Sequence, residues 1–81
     1  MRQTLIEDKL GIMKRKLSKK FGENMRRIRL QKGMSQGDIS PKIGMDRASI
    51  SNIENGKRNP TLANVEKIAK ALEDSADELL K

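Results

Sequence analysis

Apolar residues recur three and four positions apart along the whole chain, and no stretch alternates at period two, so helices are the regular structure this sequence supports. Glycine and proline cut the pattern into short pieces. Phe21, Met25 and Ile28 form a helical face that ends at Gly33. Ser35 reads as the N-cap of the next helix, with Asp38 in its first turn and Ile39 and Ile43 facing inward before Gly44 closes it. Asp46 caps a third helix through Ile50 and Ile53 to the stop at Asn55-Gly56. After the basic loop Lys57-Arg58-Asn59-Pro60, Thr61 caps a helix in which Leu62, Val65, Ile68, Ala69 and Leu72 repeat at helical spacing. Ser75 and Glu78, three apart just before Leu79-Leu80, have the form of a capping box opening a short last helix. At 81 residues the chain has room for one small core, so the expected fold class is all-α.

The first twenty residues read as a separate basic, amphipathic extension, helical or partly disordered, preceding a domain over 21–81. Ile6, Leu10, Met13 and Leu17 are spaced by four, three and four, which aligns them on one helical face between lysines and arginines. Gly11 weakens that helix. Three readings fit the segment: a solvated tail, an apolar face that docks on the domain or on a second subunit or protein partner through residues 5–17, and a basic arm or membrane-surface helix.

Charge narrows the function. The chain carries 18 Lys+Arg against 11 Asp+Glu, a net +7 with a pI near 10.1, which calls for an anionic partner. The excess lies in the first three quarters, because residues 60–81 hold three cations and five carboxylates. Absence of histidine and cysteine removes the usual zinc ligands, the thiolate nucleophile and the neutral-pH proton shuttle, so the expectation is no enzyme, no metal and no cofactor. Phe21 is the one aromatic residue, too few to stack unpaired bases, which turns the nucleic-acid reading toward duplex DNA. No apolar run is long enough for a membrane span and no signal peptide is legible at the start, so no membrane and a cytoplasmic location are expected.

The two short helices around Gly44 have what a helix-turn-helix needs. Ser40 is small where the helices cross, Gly44 makes the turn, and Ile39, Met45, Ile50 and Ile53 hold the second helix against the first. At about 100° per residue, Ile50 and Ile53 face the core while Ala48, Ser51, Asn52 and Asn55 point away. Arg47 sits at the N-terminal tip, the end a recognition helix inserts into the major groove. Arginine can bond guanine O6 and N7 together, asparagine can bond adenine N6 and N7, and alanine can lie against a thymine methyl. Arg47, Ala48, Ser51 and Asn52 are therefore the candidate base readers. Ser35 and Gln36 bring donors to a helix N-terminus, and Lys57 and Arg58 add charge beyond the recognition helix, so these residues are expected on the DNA backbone.

The stretch GMSQGDISPKIGMDRASISNIENGKRNPTL, followed by EKIAKAL, resembles the lambda-repressor-like helix-turn-helix family of phage repressors, Cro and XRE-type regulators. The combination of Ser35-Gln36, Gly44, Ile50, Ile53-Glu54, Gly56 and Pro60 carries the resemblance, which covers about residues 21–81. It implies a five-helix domain, Gln36 near the phosphate backbone, Arg47, Ala48 and Asn52 at base edges, and Asn55 and Lys57 on phosphates. It also implies an ion pair between Arg29 and Glu54, tying the first domain helix to the end of the recognition helix. Pro41 departs from the pattern, since a proline inside a helix costs about 3 kcal/mol, and it is expected to kink or shorten the first helix of the motif. Gly37 weakens the same helix.

The resulting expectation is a sequence-specific double-stranded DNA-binding transcriptional regulator or repressor, acting as a homodimer on an inverted-repeat operator. Two half-sites a helical turn apart are the usual route to useful affinity for a domain this small. The alternative is an antitoxin or other protein-interaction module whose DNA binding is secondary.

Overall fold

The computed structural model describes residues 2–74 and 76–81, with side chains from Lys9 onward. Its five helices, in chain order, are α1 (Arg2–Gln31), α2 (Gln36–Ile43), α3 (Arg47–Glu54), α4 (Leu62–Ala71) and α5 (Ala76–Leu79). No strand occurs among the described residues.

Helix α1 is one uninterrupted element of 30 residues, so the amphipathic face read in residues 1–20 and the helical face that begins at Phe21 belong to the same helix. Lysine, arginine, leucine and methionine dominate around that junction, and all are good helix formers, while Gly11 alone costs only about 1 kcal/mol relative to alanine. The N-terminal half of α1 therefore continues the axis of its packed C-terminal half. That continuation accounts for overall dimensions of 47 × 23 × 19 Å, since 30 residues span about 45 Å. Leu10, Met13 and Leu17 on the projecting part are exposed. The side chain of Ile6, the fourth member of the expected apolar face, lies outside the described residues.

From Phe21 onward the inner face of α1 enters the core. Phe21, Met25 and Ile28 pack with Ile39 and Ile43 of α2, Ile50 and Ile53 of α3, Val65, Ile68 and Leu72 of the α4 region, and Leu79 of α5. Met25, Ile39, Ile50, Ile53, Ile68, Leu72 and Leu79 have no exposed surface. The crossing of α1 over α3 depends on Gly22, where a Cβ would stand 2.3 Å from the carbonyl oxygen of Ile53 and 2.5 Å from that of Glu54. At the far end of the core Asn24 Nδ2 donates to the carbonyl of Leu79 at 3.0 Å, which ties α5 to α1.

Two details differ from the sequence pattern. Helix α2 runs through Pro41 to Ile43. Proline forfeits the bond its N–H would make to Gly37, yet Ile39 and Ile43 are buried on the same helix, and each such side chain contributes about 1.5–3 kcal/mol. Burial of the pair offsets the proline. Leu62 follows the helical spacing of α4 but is 89% exposed, because it is the first residue of the helix and stands beyond the edge of the core. The expected capping residue Ser75 lies outside the described residues, and α5 begins at Ala76. No helix among the described residues is long and apolar enough to cross a membrane.

Candidate nucleic-acid interface

The helix pair α2–α3 is built from caps inward. At the start of α2, Ser35 and Asp38 form a reciprocal capping box. The Asp38 N–H donates to Ser35 Oγ at 3.0 Å and the Ser35 N–H donates to Asp38 Oδ2 at 2.8 Å. Hydrogen bonding from Ser35, its backbone N–H first and its side chain second, holds the Asp38 carboxyl below the ordinary carboxylate range. At the start of α3 the Ser49 N–H donates to Asp46 Oδ1 at 2.8 Å. Hydrogen bonding from Ser49, side chain and then backbone, likewise lowers the Asp46 carboxyl, and Arg58 adds a smaller electrostatic pull.

Between the helices Gly44 takes a left-handed conformation at φ 78°, which a side chain would strain. Its N–H donates to the carbonyl of Ser40 at 2.9 Å, and the Met45 N–H reaches the same carbonyl at 3.3 Å. The Ser40 hydroxyl in turn donates to the carbonyl of Met45. A small hydroxyl residue at position 40 thus closes the turn from both sides, and it fixes the departure of α3.

Ile50, Ile53 and Glu54 form the buried side of α3. Arg47, Ala48, Asn52 and Asn55 are exposed, and Ser51 is half-buried. Asn55 Nδ2 donates to Ser51 Oγ at 3.3 Å, so two of the outward polar groups are already oriented by each other. The structure brings the four candidate base readers onto one short helix with a free outer surface. Lys57 and Arg58 are exposed in the loop that follows α3, where the Lys57 N–H donates to the carbonyl of Asn52 at 2.8 Å.

The remaining candidates have partners inside the protein. Ser35 is engaged in the capping box. Gln36 is half-buried, and its Nε2 donates to Glu54 Oε1 at 3.2 Å, linking the N-terminus of α2 to the C-terminus of α3. Glu54 is also the partner of Arg29: Nε donates to Oε2 at 2.7 Å and Nη2 donates to Oε1 at 3.0 Å. Arg29 Nη1 adds a bond to the carbonyl of Met34 at 2.9 Å. The hydrogen bonds to Glu54 raise the Arg29 pKa above its ordinary value.

One contact has no counterpart in the sequence reading. A Cβ on Gly37 would fall 2.6 Å from Arg47 Nη2 and 3.0 Å from its Cζ, so the guanidinium of Arg47 lies directly over the first turn of α2. The residue that looked like a weakness in α2 is the space Arg47 occupies.

Comparison with known proteins agrees with this geometry. A family model described as helix-turn-helix matches residues 25–79. The chain is 46% identical over 61 residues to the control protein C.BamHI of Bacillus amyloliquefaciens, covering 74% of this chain and 75% of that protein. It is 41% identical over 61 residues to the control protein C.MunI of a Mycoplasma species, covering 74% of this chain and 82% of the relative. Among solved structures, the restriction-modification controller protein C.AhdI from Aeromonas hydrophila superimposes with a TM-score of 0.73 at 39% identity, over 76% of this chain and 94% of that one. With its capped helix pair, left-handed glycine turn and buried Arg29–Glu54 tie, the chain belongs to the helix-turn-helix family of DNA-binding transcriptional regulators.

Proposed function

We propose that the chain controls transcription by binding, as a homodimer, an inverted-repeat site in double-stranded DNA, in the manner of a restriction-modification controller. The observation that carries this reading is the outer face of α3. Arg47, Ala48 and Asn52 are exposed on a helix whose inner face is anchored by Ile50 and Ile53, both without exposed surface. A rigid helix with short outward residues can approach base edges closely, while Arg47 supplies reach and a two-donor fork for guanine.

Backbone contacts fall to the surrounding groups. Lys57 and Arg58 lie just past the end of α3, and Asn55 stands at its C-cap. Gln36, its side chain held by Glu54, stands at the start of α2, a helix N-terminus of the kind that favours phosphate. Arg47, Ala48, Ser51 and Asn52 specify; Ser35, Gln36, Asn55, Lys57 and Arg58 position. A homodimer supplies the second α3 needed to read the other half-site, which one domain of this size lacks. No catalytic step is assigned to any residue.

Selection of a random duplex pool by the purified protein, followed by sequencing of the bound molecules, tests the reading. An enriched inverted repeat with half-sites about one helical turn apart is the expected result. Salt-sensitive binding without enrichment would reduce the protein to a non-specific basic module.

A further inference from the structure

Helix α1 leaves the domain beside the loop that follows the recognition helix. Its backbone crosses the C-terminal end of α3 at Gly22, where a Cβ would stand 2.3 Å from the carbonyl oxygen of Ile53. About one turn earlier it passes Gly56: a Cβ there would fall 2.9 Å from Lys19 Cα and 3.2 Å from Lys19 Cβ. Further along the same loop, Asn59 and Pro60 share a groove with Lys14 and Leu17. The loop that carries Lys57 and Arg58 therefore lies against α1 over residues 14–19, and the helix projects onward from there.

The side of the projection that meets the loop is cationic. Lys19 has its Cβ turned to Gly56. A rotation of about 100° per residue then places Arg15 about 40° to one side of Lys19 and Lys16 about 60° to the other, with Lys20 at the margin. Ile12 stands one turn further out in the same sector and is 46% exposed. Leu10, Met13 and Leu17 fall on the far side of the helix, and Lys14 turns toward them at the groove. Arg15, Lys16, Lys19 and Lys20 are all exposed, as are Lys57 and Arg58. None of the six forms an ion pair among the described residues.

No carboxylate occurs between Lys9 and Lys20, so these cations repel one another until an anion lies against them. A membrane surface would take the helix by its apolar side, Leu10, Met13 and Leu17, and would turn Arg15, Lys16 and Lys19 away from the lipid. Duplex DNA, with one phosphate per about 1.7 Å of axis, is met instead on the side of Lys57 and Arg58. Charge and continuity with that surface select the same partner.

We propose that the projecting half of α1 is a second DNA-binding element, in which Arg15, Lys16 and Lys19 hold duplex phosphates next to those met by Lys57 and Arg58. The proposal rests on the DNA-binding reading above and extends that surface to residues ahead of the helix-turn-helix match, which begins at residue 25. These contacts add affinity without base preference.

The test uses the full chain. Arg15→Gln/Lys19→Gln replaces good helix formers with another, and circular dichroism verifies that α1 persists. On the duplex selected by the parent, anisotropy titrations are expected to show at least about tenfold weaker binding near physiological salt and a slope of log K against log salt lower by about 2, with base preference unchanged. Lys67→Gln/Lys70→Gln, which removes as much charge from exposed positions of α4, should change both far less. Because the chain has no cysteine, Ile12→Cys can carry an iron-chelate cleavage reagent, and cuts at fixed positions in the duplex backbone are expected. Parental affinity and slope in the arm variant, an equal loss in the α4 variant, or absence of cuts overturns the arm contact while leaving the regulator reading intact, because the parent still selects its site. An arm variant that loses binding to anionic phosphatidylglycerol vesicles but keeps parental DNA binding overturns it in favour of a membrane surface. A parent that binds no duplex overturns both the regulator reading and the arm contact.

Discussion

Arg29 and Glu54, 25 positions apart in sequence, face each other across the α1–α3 junction through two hydrogen bonds of 2.7 and 3.0 Å, with side chains only 9% and 3% exposed. Gln36 joins the same carboxylate at 3.2 Å, so one buried anion ties α1, α2 and the end of α3 together. The C-terminal end of α3 is held from behind by this cluster.

Removing either member leaves the other buried and unpaired. Arg29→Met or Glu54→Gln should cost about 3–5 kcal/mol in urea unfolding, enough to unfold much of a domain this small. Replacing both with methionine should recover most of that loss, because no isolated charge remains. A double variant as unstable as the singles would show that the pair stabilises by more than mutual neutralisation.

Gly22 and Gly11 lie on the same helix but should respond in opposite directions to alanine. A Cβ at position 22 meets the Ile53 carbonyl at 2.3 Å, whereas nothing lies within 4 Å of one at position 11. Gly22→Ala should destabilise by about 1–3 kcal/mol through overpacking of α1 on α3. Gly11→Ala should stabilise by up to about 1 kcal/mol through helix propensity. Thermal melts of the two variants check the contrast.

The helix ends, the core and the turn were legible because each depends on local chemistry. Ser35, Asp46 and Thr61 cap the helices they precede, and Gly44 takes the positive φ that its place implied. Long-range contacts were not legible. Nothing local distinguishes Gly22, which admits α3, from Gly11, which admits nothing, nor shows that Gly37 makes room for Arg47. Exposure was equally hidden at Leu62, because periodicity gives the direction of a side chain around its helix and not whether a neighbour stands there. The continuity of α1 was masked by reading Phe21 as a start, when its apolar face simply runs on from Leu17.

Acid should loosen the helix-turn-helix before it disrupts the rest of the core. The carboxyls of Asp38 and Asp46 are both lowered by hydrogen bonds that exist only in the folded state. A depressed folded pKa gives stabilisation that is fully present above the unfolded value, near pH 4, and is lost as pH falls through the folded one. Asp38→Asn and Asp46→Asn should each flatten the acid limb of a stability–pH curve and leave the slope above pH 5 unchanged. An unaltered acid limb in both variants would move the linkage to other carboxylates.

Arg47 and Lys57 should separate specificity from affinity. Arg47→Ala should cost about 1–3 kcal/mol on the selected site and relax the preference at one base position of each half-site. Lys57→Ala should weaken preferred and random duplexes alike and lower the dependence of log K on log salt by about 1 per neutralised phosphate. Gly37→Ala links the two helices of the motif in this test, since its Cβ would displace the Arg47 guanidinium from the first turn of α2. Because the obstructing atoms are the end of a flexible side chain, it should change base preference by less than Arg47→Ala does while keeping the parent salt slope, since no phosphate-facing charge is removed. Fluorescence anisotropy on specific and scrambled duplexes between 50 and 300 mM salt reads all three variants, and a Gly37→Ala protein with parental base preference would release Arg47 from its dependence on α2.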